Sequence, residues 1–231
     1  DLKIMDLTYD QISNYSIESL KPGSGYSDRF KNQKSVEGAK IPKLIDLFKL
    51  ANKENYKDVF LNLEVKSNPN LNDVTPEPKE MVTTILKDIK DYNLEDRIVV
   101  TSFDWRILYE LKKQNPNVLR GFLTLQQNLG STKKNIYENS PWINKEFTME
   151  ELFLLPNIIK SIEGHVWSAF YRDITKQNIE LAHKQGLAVN VWTVNREQDI
   201  IRMIEYGVDG IITDYPKKVQ EICKSKNISW F

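Results

Sequence analysis

The stretch VFLNLEVKSN, residues 59–68, looks like a buried strand yet carries a carboxylate at Glu64 and an ammonium at Lys66. Side chains on a strand point alternately to its two faces. Leu61, Leu63 and Val65 therefore share one side, while Asn62, Glu64 and Lys66 share the other. The polar face gathers at the C-terminal end. Taken alone, the pattern fits an edge strand with a wet polar face and Glu64 and Lys66 as a weak surface pair. The other reading is a strand of a closed parallel barrel. There the outward side chains pack under helices, and the inward ones at the C-terminal end face the mouth.

The order of the remaining elements decides between the two. Runs rich in β-branched and aromatic residues occur at 59–66, 97–103, 119–125, 165–170, 187–194 and 209–214. Helical patterns intervene. Residues 42–54 carry Leu44, Leu47, Phe48 and Ala51 on one stripe, and 78–92 carry Met81, Ile85 and Ile89. Further helices are predicted at 104–116, with Asp104 as N-cap and a stop before Pro116, at 175–186 from Thr175 to Gly186, and at 196–207, closing at Gly207. This alternation predicts a parallel sheet with crossover helices, either doubly wound or a barrel. No G-x-G-x-x-G or P-loop follows any strand, which weakens the nucleotide-binding version and favours an α/β protein of the TIM (β/α)₈ type.

Six strands are found where a closed barrel of this type uses eight, so the barrel is predicted to be incomplete, with its first two strands missing. Residues 1–41 are polar and rich in Gly, Ser, Asn and Lys. They read as a long connection over the mouth, with at most a short helix near 8–20. There is no internal repeat and no second core, so 1–231 reads as a single domain.

Lys plus Arg and Asp plus Glu are 32 each, a formal net charge of zero, so no global field draws the chain to nucleic acid or anionic lipid. Cys223 is the one cysteine, and no Cys/His spacing resembles a zinc site; a metal would need oxygen ligands. No apolar run approaches the roughly 20 residues that span a bilayer, and no signal peptide is visible. Residue 1 is Asp, so the chain is read as a processed or cut product, and its location stays open.

Five stretches, AKIPKLIDLFKLA (39–51), LNLEVKS (61–67), IVVTSFD (98–104), AHKQGLAVNVWTVN (182–195) and YGVDGIITDYP (206–216), together resemble the glycerophosphodiester phosphodiesterase family of TIM-barrel hydrolases. The last two are the most specific. The resemblance implies that Glu64 is a ligand of a divalent cation, Ca²⁺ or Mg²⁺, and that Lys66 contacts the phosphate of a small phosphodiester. It implies that Trp192 lines the mouth near the glycerol or leaving group, with Ser102 and Phe103 as weaker pocket candidates.

The departures are equally informative. The family opens with a His-Arg-Gly strand, continues to a Glu-x-Asp strand with two more metal ligands, and then reaches a His-Asp segment. None of these is present here. His165, at the start of its strand, and His183, within a helix, read as structural. The missing strands and missing groups are taken as one absence, an N-terminal cut before Asp1. The expectation is a cation bound weakly or not at all and little activity. Asp214 and Pro216 are read as shaping the turn after the last strand, and Arg29 as a loop arginine in water. Two other functions compete. One is an aldolase using Lys66 as a Schiff-base lysine with Glu64 as proton shuttle; the other is a non-catalytic remnant or pseudoenzyme that binds a ligand through the mouth.

Overall fold

Six strands, all parallel, pair in the order in which the chain makes them. In the computed structural model, which describes residues 2–71, 73–130 and 132–229, they are β1 (Leu61–Glu64), β2 (Ile98–Ser102), β3 (Leu119–Thr124), β4 (Val166–Phe170), β5 (Ala188–Trp192) and β6 (Gly210–Ile211). A doubly wound sheet reverses its strand order at a switch point. This one never reverses, so the chain winds in a single direction and the sheet curls into a half-barrel.

The helices, in chain order, are α1 (Tyr9–Ile12), α2 (Gly25–Arg29), α3 (Leu44–Ala51), α4 (Pro78–Asp91), α5 (Trp105–Gln114), α6 (Met149–Leu152), α7 (Leu155–Ser161), α8 (Lys176–Lys184), α9 (Glu197–Tyr206) and α10 (Pro216–Ser225). Their ends follow local chemistry. Asp104 caps α5 by accepting from the Arg106 N–H, Thr175 caps α8 by accepting from the Asn178 N–H, and Gly207 ends α9 in the left-handed conformation at φ 83°.

The two faces of the sheet are chemically distinct. Outward positions Val100, Phe122, Trp167, Ala169, Val189 and Val191 belong to one apolar core beneath the helices, where Trp105 lies edge-on to Phe122 at 5.0 Å. Buried area of this kind contributes about 25 cal/mol per Å² and dominates the stability. The inward face is filled differently. A Cβ on Gly121 would lie 2.5 Å from Thr101 Cγ2 and 3.5 Å from both Val99 and Val166, so glycine is what lets β2, β3 and β4 close inside. β1 shows the alternation: Leu61 and Leu63 pack against the core and Val65 is buried in it, while Asn62 and Glu64 are exposed. The opening stretch therefore has its apolar side under helices and its polar side on the inner face.

Several expected boundaries move. Val59 and Phe60 are exposed and lead into β1, because the Val59 N–H turns back to the Tyr56 carbonyl. Helices α2, α6, α7 and α10 fall outside the sequence expectations. Pro216 is the first residue of α10, a position where its missing N–H costs nothing, so it starts a helix as well as following a turn. Residues 2–41 contain α1 and α2 but no buried residue. This segment is held by polar ties: Ser16 pairs with Lys40, Lys3 with Asp73, and Arg29 with Asp214 at 2.5 Å. Arg29 is thus the last residue of a short helix, half-exposed but paired with Asp214, where the sequence reads a loop arginine in water.

Candidate functional site

The C-terminal ends of β1 and β2 are joined beyond the last strand residues. The Val65 N–H donates to the Thr101 carbonyl at 2.8 Å, the Ser102 hydroxyl donates to the Val65 carbonyl at 2.8 Å, and the Ser67 hydroxyl donates to Asp104 Oδ2 at 2.6 Å. Lys66 lies between these two tethered residues. Asp104 makes the tether rigid. Its carboxylate is fully buried and takes the Arg106 guanidinium on both oxygens, with contacts of 2.7, 3.0 and 3.2 Å, besides capping α5. The backbone on either side of Lys66 is therefore fixed before any ligand arrives.

Glu64 and Lys66 then meet at the rim, with Lys66 Nζ 3.7 Å from Glu64 Oε2 and side chains 35% and 78% exposed. A pair so open to water contributes little to stability. It costs little to part, and each group stays available to something else. Both border a cleft of about 660 Å³, together with Ser102, Phe103, Lys133 and Lys134. Its far wall comes from the long run 125–165 between β3 and β4. Asn135 roots that wall: its buried carboxamide accepts from the Leu125 N–H at 2.7 Å and donates to the carbonyls of Leu123 at 2.9 Å and Phe103 at 3.2 Å.

The other expected site residues divide. Phe103 lines the cleft. Trp192 stands behind it, edge-on at 5.3 Å, also meets Phe170 at 5.2 Å, and donates its indole N–H to the Ser168 carbonyl at 3.1 Å. Ser102 borders the cleft, but its hydroxyl is occupied by the Val65 carbonyl and the Asp104 N–H. Its work here is to hold the β1 end. Beyond Trp192, Asn195 accepts from the Asp214 N–H at 2.9 Å and donates to the Asp214 carboxylate at 2.6 Å, where Arg29 also binds. Asp214 is a junction between the last strand and the N-terminal segment.

Both histidines lie at the opposite end of the strands. His165 precedes β4 and accepts the Arg120 N–H on Nδ1 at 3.2 Å; His183, in α8, meets Asp209 at 2.9 Å just before β6. Burial pushes the His165 imidazole below its ordinary value of 6.5, and Arg120 and Lys160 act the same way. The folded protein therefore binds this proton less readily than the unfolded chain, whose ring takes it up below about pH 6.5. The contribution is thus present above pH 6.5 and lost as pH falls. Urea denaturation is expected to show a decline below pH 6.5 that is shallower in His165→Asn, which keeps an acceptor but cannot titrate; identical slopes would show that His165 does not carry it.

Among the described residues no three His, Cys, Asp or Glu side chains converge as a metal-binding group, and Glu64 is the one carboxylate of the cleft not taken up by an arginine. Lys133, Lys134, Tyr137 and Trp142 were not singled out from the sequence. Only the length of 125–165, more than a crossover helix needs, could have pointed to a binding loop there.

The model of the Glycerophosphoryl diester phosphodiesterase family matches residues 1–218. The chain belongs to that family. A curated glycerophosphodiester phosphodiesterase of Caldanaerobacter subterraneus subsp. tengcongensis is 31% identical over 224 residues, covering 93% of this chain and 76% of the relative. Among solved structures, a putative glycerophosphoryl diester phosphodiesterase from Silicibacter pomeroyi superposes with a TM-score of 0.80 at 32% identity, covering 97% of this chain and 70% of that one. A phosphodiesterase from Oleispira antarctica, in complex with the product sn-glycerol-3-phosphate, shares the fold at a TM-score of 0.59 and 19% identity, covering 80% and 62%. This phosphodiesterase chain is thus of a hydrolase class acting on glycerophosphodiesters, with a TIM-barrel-like sheet.

Proposed function

We propose that the cleft at the ends of β1 and β2 receives the phosphate of a glycerophosphodiester, with Lys66 as its cationic partner and Phe103, backed by Trp192, as the apolar wall. The observation that carries this reading is the rim pair itself. An ammonium lies on a backbone tethered on both sides, at the end of a singly wound sheet where such folds place their chemistry. The glycerol 3-phosphate in the Oleispira antarctica relative supports the choice of ligand. Hydrolysis of such a diester forms a bond from a water oxygen to phosphorus and breaks the bond from phosphorus to the alcohol oxygen, and the proton lost by the water balances the one taken up by the departing alkoxide. Lys66 would hold the non-bridging oxygens throughout.

The described residues do not by themselves fit a divalent cation. Glu64 supplies one carboxylate, already beside Lys66, whereas Ca²⁺ takes six to eight oxygens and Mg²⁺ an octahedron. No described histidine stands at the cleft to move a proton. We therefore infer that these residues bind the glycerol phosphate moiety more readily than they turn a diester over. The Schiff-base alternative finds no support in the geometry, because Lys66 is open to water beside a carboxylate while that chemistry needs a desolvated amine.

Calorimetric titration with glycerol 3-phosphate tests the reading, with and without Mg²⁺ or Ca²⁺. Lys66→Ala is expected to weaken binding roughly 10- to 100-fold, the worth of a charge-assisted hydrogen bond, with the fold unchanged. Unaltered affinity in Lys66→Ala would remove the assignment, and tight stoichiometric cation uptake would remove the one-carboxylate reading.

A further inference from the structure

Lys133 and Lys134 line the same cleft as Lys66, on the wall formed by the run between β3 and β4, and the assignment made for Lys66 does not use them. The loop that carries them is built to hold them there. The Asn128 side chain accepts the Lys134 N–H at 3.1 Å, Leu129 and Thr132 exchange backbone hydrogen bonds at 2.9 and 3.0 Å, and the Asn135 N–H returns to the Leu125 carbonyl at 3.1 Å. On the other side of the loop, Asp173 accepts from the Gln126 N–H at 2.8 Å and from the Gln127 side chain at 2.6 Å.

The charges around the cleft do not balance. Glu64 is matched by Lys66 and Asp104 by Arg106, which leaves Lys133 and Lys134 with no ion pair within 4.0 Å among the described residues. Lys134 Nζ lies 5.8 Å from the centre of the Tyr137 ring. Two uncompensated ammonium groups in one cleft with a phosphate-binding lysine form a field for a second anion. A cleft of about 660 Å³ has room for more than a glycerol phosphate moiety, being within the range that takes up drug-sized molecules.

We propose that Lys133 and Lys134 form a second anion subsite that selects glycerophosphodiesters whose leaving alcohol itself carries a phosphate monoester. Such a group bears about two negative charges at neutral pH, which matches two ammonium groups better than a single carboxylate does. The proposal rests on the reading of Lys66 as the partner of the diester phosphate.

The test compares three diesters by calorimetry on the whole chain, with the same glycerophosphate half and a cationic, neutral or anionic alcohol: glycerophosphocholine, glycerophosphoinositol and glycerophosphoinositol 4-phosphate. The anionic ligand is expected to bind roughly 3- to 10-fold more tightly than the neutral one, the range of two partly screened ion pairs. The double variant Lys133→Ala/Lys134→Ala should erase that preference while leaving the neutral diester within about twofold. Lys133→Glu/Lys134→Glu should turn the preference toward the choline diester. Both lysines are exposed, so neither variant threatens the fold. Equal affinity for the three ligands, or a preference that survives both double variants, would overturn the subsite and leave the Lys66 assignment standing. Failure of every diester to bind would overturn both.

Discussion

Asp104→Ala is expected to lower the stability of the fold by about 3 kcal/mol, the cost of breaking a buried charged network from one side. Three losses coincide. The Arg106 guanidinium, with a side chain 26% exposed, loses the carboxylate that it grips on both oxygens. α5 loses its N-cap, by itself worth about 1 kcal/mol, and the Ser67 hydroxyl loses its acceptor. Asp104→Asn keeps the cap through its single oxygen, but it puts an NH2 where Oδ2 accepts from Ser67 and Arg106, so it should cost less than Asp104→Ala while still losing the Ser67 acceptor and the charged grip on arginine. Urea unfolding of the two variants beside Ser67→Ala measures each part. If Asp104→Ala unfolds within 0.5 kcal/mol of the parent, roughly the effect of a surface substitution, the tether behind Lys66 does no structural work.

Trp192→Ala should cost about 2–3 kcal/mol, below the range for a fully buried tryptophan because this one is only half-buried. The ring supports Phe103 and Phe170 at 5.3 and 5.2 Å, and each such aromatic pair is worth about 0.5–1.5 kcal/mol beyond its area. Trp192→Phe keeps a ring while giving up the bond to the Ser168 carbonyl, so about 1 kcal/mol is expected. Binding separates support from direct contact. Since Phe103 and not Trp192 lines the cleft, Trp192→Phe should bind glycerol 3-phosphate within about twofold of the parent. A tenfold loss in that variant, with its stability preserved, would show that the indole itself touches the ligand.

The single winding of the sheet was readable because each strand signals itself through apolar alternation and each crossover helix through its stripe and caps. Leu61, Leu63 and Val65 fall on the covered face of β1 as their spacing requires, and Asp104, Thr175 and Gly207 cap the helices that they were expected to cap. Short helices such as α6 and α7 carry too few residues for periodicity to register, and α10 is hidden because Pro216 after the last strand reads as a turn residue and not as the first residue of a helix. Arg29 escaped for a different reason. Its partner Asp214 lies 185 residues away, and no local pattern encodes a pairing at that range.

By itself the sequence determined the succession of strands and helices, the polar face of residues 62–66 and, through the quoted signatures, the family. Those properties are local or carried by short motifs, so they can be read without knowing what touches what. Only the tertiary structure decided that Ser102 spends its hydroxyl on the Val65 carbonyl, that Trp192 stands behind Phe103, and that Lys133 and Lys134 share a cleft with Lys66. Each of these joins segments from different turns of the winding. The curl of the sheet sets their separation, and it is fixed by packing across strands and not by the order of residues along any one of them.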